Sequence, residues 1–208
     1  VLRAHPKVVI ISDDIYNRLV FEGELAPHLL QVCPDLRSRT IIVNGASKTY
    51  SMTGWRVGWA VGPKEVIGAM TNYQSQTVSC ACSMSQQATL KAIRDTAPEL
   101  KKSLQLLKER VEFAHRELNR IPGITTAMPG GAFYLWPNIK AHLGKRFNGA
   151  VLSDSKAVCQ ALLEDQSVAA VPGVEFGLEG FMRLSYALET ARLKEAINRM
   201  GTFFAKLV

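Results

Sequence analysis

Three short apolar runs, and the lengths of chain between them, restrict the fold more than anything else in the sequence. Val8 to Ile11 stops at Ser12-Asp13-Asp14, Thr40 to Val43 stops at Asn44-Gly45, and Val57 to Val61 follows closely. The first of these, four Val and Ile residues in a row, suits a strand buried on both faces. Between the first and second, Leu25 to Leu36 has the periodicity of a short helix broken at Pro34, so a crossover joins two parallel strands. Their carboxyl ends then share one edge of the sheet. The next interval is too short for a crossover, so the third strand returns antiparallel and brings Arg56 near Lys48. Asp13, Lys48 and Arg56 are thereby expected at one rim, where open α/β sheets bind ligands.

Helical patterns follow over Lys64 to Gln76, opened by Pro63, and over Ser83 to Arg94. From Pro98 onward Leu100, Leu104, Leu107, Val111, Ala114 and Leu118 recur at helical spacing until Pro122-Gly123. A helix of that length, roughly 35 Å at 1.5 Å per residue, suits an element shared between domains. The expected division is therefore residues 1–97 and residues 98–208. In the second part, strands are expected at Ala132 to Trp136, Val168 to Val171 and Phe181 to Tyr186. Helices are expected at Asp154 to Asp165 and Thr190 to Phe204, giving a small α+β unit.

With 208 residues the chain has room for a sizeable core, and no apolar run is long enough to cross a bilayer. Arg3, His5 and Lys7 interrupt any leader-like segment, and the reading is a cytoplasmic chain without membrane partners. The net charge of +7 is spread over scattered pairs such as Arg37 and Arg39, which argues against a nucleic-acid stripe. Cys80 and Cys82 are separated by one residue, not the two to four of zinc pairs, so no metal site is expected and the cysteines read as free buried thiols.

The stretch NGASKTYSMTGWRVGWAVGP places Lys48 among small and hydroxyl residues, with Arg56 eight positions on. Arginine forks bind phosphate in bidentate fashion, small residues let backbone N–H groups approach it, and a partly desolvated lysine is able to form a Schiff base. Asp13 and Tyr16 in SDDIY lie three apart, so one turn of irregular or helical chain is able to bring both toward the same ligand. An anion, an arginine and an amine together meet the needs of pyridoxal phosphate, whose ring nitrogen, phosphate and aldehyde each require one of them.

These motifs, with VPGVEFG and FMRLSYA, resemble the fold-type I pyridoxal-phosphate aminotransferases of class I/II, in the bacterial-type aspartate aminotransferase branch. The resemblance runs along the whole chain but reaches only the C-terminal half of a family member. It implies an α/β fold: the C-terminal part of the large cofactor-binding domain, with a mixed, mostly parallel sheet, plus the small α+β domain. By resemblance Lys48 is the Schiff-base lysine that shuttles the proton, Asp13 partners the pyridine nitrogen, with Asp14 as the rival in register, and Tyr16 donates to the cofactor's phenolic oxygen. Arg56 anchors the phosphate with help from Ser47, although Gly45 stands where the family often has a second hydroxyl. Arg183 grips the substrate α-carboxylate, and Gly173 and Phe176 border the substrate. Tyr50, Trp55 and Tyr134 read as core or cofactor-wall residues, not catalysts, without an assigned role.

The activity implied is a ping-pong transfer of an amino group between an amino acid, aspartate by preference, and a 2-oxo acid such as 2-oxoglutarate. The full-length protein would be a homodimer. The glycine-rich phosphate turn, the ring-stacking aromatic and the dimer-spanning arm of such enzymes have no counterpart here. The chain alone is therefore expected to be inactive and to expose apolar surface. Two alternatives share these motifs: the aminotransferase-like effector domain of a transcription regulator, and a related pyridoxal-phosphate lyase or synthase.

Overall fold

A computed structural model describes residues 1–23 and 25–208, which divide into two compact units, Val1–Leu104 and Gln105–Val208. In the first unit, β1 (Ile10–Asp13) leads to a short helix α1 (Leu29–Val32), a 3-10 turn at Pro34–Arg39, and then β2 (Thr40–Gly45). His28 starts α1 by accepting the Leu30 N–H on Nδ1 while Gln31 accepts the His28 N–H, a reciprocal cap. β3 (Gly58–Val61) follows a single 3-10 turn at Thr53–Trp55. The sheet order is β1-β2-β3, with β1 parallel to β2 and β3 antiparallel to it. The topology matches the reading from interval lengths. The first strand lies two residues later than its apolar run, because Asp13 still pairs with Val43.

Before β1 the chain is tied down by Arg39, whose guanidinium donates to the carbonyls of Leu2, His5 and Val8 at 2.6 to 3.0 Å. Arg3 forms a two-pronged pair with Asp35 at 2.9 and 2.8 Å. These two arginines serve the fold, which explains part of the scattered positive charge. After β3 come α2 (Lys64–Thr77), α3 (Ser83–Asp95) and α4 (Ala97–Leu118), the last running across the unit boundary. No residue of α2 is buried, and Tyr73 is 75% exposed. On the sheet, Ile11 and Val61 of the outer strands are 70% and 61% exposed.

The second unit contains β4 (Tyr134–Leu135), a hairpin of β5 (Arg146–Phe147) and β6 (Ala150–Val151), α5 (Ser155–Gln166), β7 (Val171–Pro172), β8 (Met182–Ser185) and α6 (Thr190–Ala205). Its main sheet has the order β4-β8-β7, antiparallel throughout. The hairpin was not anticipated, although Asn148-Gly149 at its tip carries a known signal for two residues with positive φ, here 48° and 85°. Leu193, Ile197, Met200 and Phe204 fall on one stripe of α6 and are all buried. Tyr186 is fully buried and donates to the Ala132 carbonyl at 3.0 Å, and burial pushes its phenol well above the ordinary range. Of the cysteines, only Cys159 is buried. Cys80 and Cys82 are exposed because the turn into α3 leaves them outside the core, which corrects the expectation of buried thiols.

His142 is also buried in this unit. Its Nε2 donates to the Pro122 carbonyl at 3.0 Å, and its Nδ1 has no hydrogen-bond partner among the described residues. Burial, with a smaller contribution from Lys145, holds the imidazole below its usual pKa. The unfolded chain therefore takes up the proton first as pH falls. Stability from this residue is complete above the unfolded value, near about 6.5, and declines as pH drops toward the lower folded value. The thermal midpoint is accordingly expected to be flat from pH 8 to 7 and to fall below about 6.5. Replacing His142 by Gln should make that fall shallower in melts recorded across the range.

Candidate functional site

The carboxyl ends of β1 and β2 bring the first group of residues to one rim. The Asp14 N–H donates to the Val43 carbonyl at 2.9 Å and extends the parallel ladder one step past Asp13. Asp13 is exposed there, with Oδ1 accepting the Ile15 N–H at 3.2 Å. Asp14, its rival in the sequence, is engaged by the Ser12 hydroxyl at 2.7 Å. Tyr16 is half-buried in the turn that follows, where its carbonyl accepts the Leu19 N–H at 2.8 Å.

Lys48 sits in a loop closed from both sides. The Ala46 N–H donates to the Val57 carbonyl at 3.1 Å, so Ser47 and Arg56 each lie one residue beyond that bond. Inside the loop, the Tyr50, Ser51 and Met52 N–H groups donate to the carbonyls of Ala46, Lys48 and Ser47 at 3.1 to 3.3 Å. Ala46 and Met52 are buried with Ala92 of α3, so the loop is anchored below on either side of the lysine. Tyr50 packs against the same cluster, as a packing residue should.

Arg56 has φ 55° and ψ 50°, a left-handed conformation that costs a non-glycine residue on the order of 1 kcal/mol. Its Nη1 donates to the Thr53 carbonyl at 2.9 Å, which fixes one corner of an exposed guanidinium. Backbone strain next to an exposed fork is a usual mark of a binding loop. The set comprises a carboxylate, an amine, a guanidinium and two hydroxyls on one rim. These groups fit pyridoxal phosphate by the chemistry of their donors and acceptors.

Gly45 is required by the strands themselves. A Cβ there would stand 2.9 Å from the Val57 carbonyl oxygen and 3.3 Å from the Gly58 Cα. The missing hydroxyl at this position thus reflects a close backbone approach between β2 and β3.

Arg183 belongs to the second unit. It lies on β8 opposite Val171 of β7, and its guanidinium carbon stands 4.5 Å from the Tyr134 ring centre and 4.6 Å from that of Phe176. Register explains the first contact. Tyr134 pairs with Ser185, which shares a face of β8 with Arg183, so the ring is its diagonal neighbour. Among the described residues, none forms a hydrogen bond or ion pair with the Arg183 guanidinium. A cation held between two rings keeps its N–H edge available for a carboxylate. Tyr134, left without a role by the sequence, is therefore one wall of this arrangement. The sequence carried no signal for this contact, because it depends on the register of β4 against β8.

Phe176 is carried by the 3-10 turn Gly173–Phe176. Gly173 has no room for a side chain, since a Cβ would lie 2.3 Å from the Leu178 carbonyl oxygen and 2.6 Å from that of Phe181. Trp136 meets the Phe176 ring edge-on at 5.4 Å. Glu179, also unassigned by sequence, accepts the N–H groups of Gly180 at 2.6 Å and Ser155 at 2.7 Å, and the Ser155 hydroxyl at 3.2 Å. Burial disfavours its charge, yet these donors hold the carboxyl below the usual glutamate range.

The model of the family Aminotransferase class I and II matches residues 1–200. The chain belongs to that family. Class I and II aminotransferases of this kind use pyridoxal phosphate. The aspartate/prephenate aminotransferase of Nitrosomonas europaea is 38% identical over 207 residues, covering 99% of this chain and 52% of that protein. The aspartate aminotransferase of Rhizobium meliloti is 42% identical over 202 residues, covering 97% of this chain and 49% of the relative. A crystal structure of aspartate aminotransferase from Rhizobium meliloti superimposes with a TM-score of 0.94 at 40% identity, covering all of this chain and 52% of the other. The aromatic aminotransferase of Pyrococcus horikoshii gives 0.85 at 31% identity, covering 98% and 53%. The chain spans about half the length of the curated relatives it matches. All these relatives are named aminotransferases, which favours the transaminase over the effector-domain and lyase alternatives.

A serine at position 45 is expected to disturb the strands before its hydroxyl contributes anything to a ligand. Gly45→Ser should destabilise the chain by about 1–3 kcal/mol, read as a lowered urea midpoint with an unchanged slope.

Proposed function

We propose that the chain forms the C-terminal half of a pyridoxal-phosphate transaminase that moves an amino group between aspartate and a 2-oxo acid such as 2-oxoglutarate. The observation that carries this reading is the closed loop around Lys48, with Arg56 strained into an exposed position one residue beyond the Ala46–Val57 bond. In this reading the first unit is the C-terminal part of the cofactor-binding domain and the second is the small domain. The whole enzyme works as a cytoplasmic homodimer.

When bound, the cofactor supplies the aldehyde that takes the amino group and a ring able to delocalise the electron pair left by loss of the α-proton. Lys48 would hold the cofactor covalently through Nζ, and the same nitrogen, when free, would accept the substrate α-proton as a general base. Asp13 keeps the proton on the pyridine nitrogen through its negative charge. Asp14 is the weaker candidate for that task, since the Ser12 hydroxyl already occupies it. Tyr16 donates its hydroxyl to the cofactor's phenolic oxygen. Arg56 neutralises the phosphate, and Ser47 adds a hydroxyl donor. Arg183 receives the substrate α-carboxylate on the N–H edge left open by Tyr134 and Phe176.

Borohydride trapping followed by peptide mass spectrometry tests the assignment even where affinity is low. The chain incubated with pyridoxal phosphate should retain the label on the peptide containing Lys48, and Lys48→Ala should abolish it. Labelling spread evenly over the surface lysines would overturn the assignment. With aspartate and 2-oxoglutarate the isolated chain should show no sustained turnover, because half of the enzyme is absent, and a coupled oxaloacetate assay measures this directly.

A further inference from the structure

Glu179 has no part in the function proposed above, yet it makes more hydrogen bonds than an exposed carboxylate needs for solubility. Its partners Ser155 and Gly180 lie 24 residues and one residue away in the sequence. The start of α5 is already capped by Asp154, whose carboxylate accepts the Ala157 N–H at 2.8 Å. Glu179 is therefore not required to begin that helix. What it adds is a link between the helix and the turn that carries Phe176.

The link has a definite route. Ser155 is fully buried, its hydroxyl donates to Glu179 at 3.2 Å, and the same oxygen receives the Val174 N–H at 3.4 Å. Val174 and Phe176 belong to one turn, whose first residue is pressed against the Leu178 and Phe181 carbonyls. Lys156 adds a second tie to that turn through Glu175 at 2.9 Å. The turn ends with Phe176 lying 4.6 Å from the Arg183 guanidinium carbon.

We infer that Glu179 is a positioning residue: through Ser155 it fixes the Gly173–Phe176 turn, and so holds the Phe176 ring on Arg183 and keeps the guanidinium fork aimed for a carboxylate. The purpose assigned to the fork rests on the reading of Arg183 given under the proposed function. The mechanical part of the inference does not.

The two parts are tested separately in the ¹⁵N-labelled chain. The Arg183 Nε–H resonance should be rigid and shifted by the rings in the wild type, mobile and unshifted in Glu179→Ala, and restored in Glu179→Gln. The amide oxygen of Gln still accepts both N–H groups that reach Oε1 in the wild type. A residue that served only stability would lower the melting point without this selective change. If Glu179→Ala does not fold, Ser155→Ala carries the same test with the same expected signature. An Arg183 resonance that stays rigid and shifted in a folded Glu179→Ala or Ser155→Ala chain overturns the inference. Succinate titration then examines the fork: binding should be abolished by Arg183→Ala and weakened about tenfold by Glu179→Ala. Succinate binding that survives Arg183→Ala, or is absent from the wild type, overturns the carboxylate role. The positioning link is still decided by the resonance.

Discussion

The arrangement around Lys48 depends on how closely two backbones approach each other. β2 and β3 meet at Gly45 and Gly58, where Gly45 has no room for a side chain and Gly58 is tight, a Cβ there standing 3.1 Å from the Asn44 carbonyl oxygen. One residue later the Ala46–Val57 bond seals the base of the loop. Everything above that bond has its starting direction set by it: Ser47 and Lys48 on one arm, and Arg56 on the other. The buried pair Ala46 and Met52, packed with Ala92, anchors the loop on either side of Lys48. A side chain is placed reproducibly when its supports are short and stiff, and small residues are what make that possible here.

Much of this was legible in the sequence because it followed from lengths. The parallel and antiparallel pairings came from the number of residues available between apolar runs, and both are seen. The helices over residues 64–77, 83–95, 155–166 and 190–205 lie within a residue or so of their apolar patterns. Strand limits were harder to read. Tyr134–Leu135 and Val171–Pro172 are shorter than the apolar stretches around them. The β5–β6 hairpin was missed because its strands are only two residues long and carry no alternation.

The residues around Arg183 show where pattern reading stops. The carboxylate role proposed for Arg183 came from likeness to a family; that Arg183 lies between Tyr134 and Phe176 required register and the path of a turn. Glu179 was invisible in the sequence because its partner Ser155 is distant along the chain and neither residue belongs to a motif. Single polar residues that connect elements leave no periodic trace. They are found only when their hydrogen bonds are counted.

The helix α2 has fourteen residues and none of them buried, while α6 buries five. Helices of that length are marginal in water without tertiary support, so the free energy of opening is distributed unevenly along the chain. Amide protons of α2 will exchange through frequent local fraying, whereas those of α6 wait for the whole second unit to melt. A slow-to-fast gradient in deuterium uptake is thus written into the burial pattern.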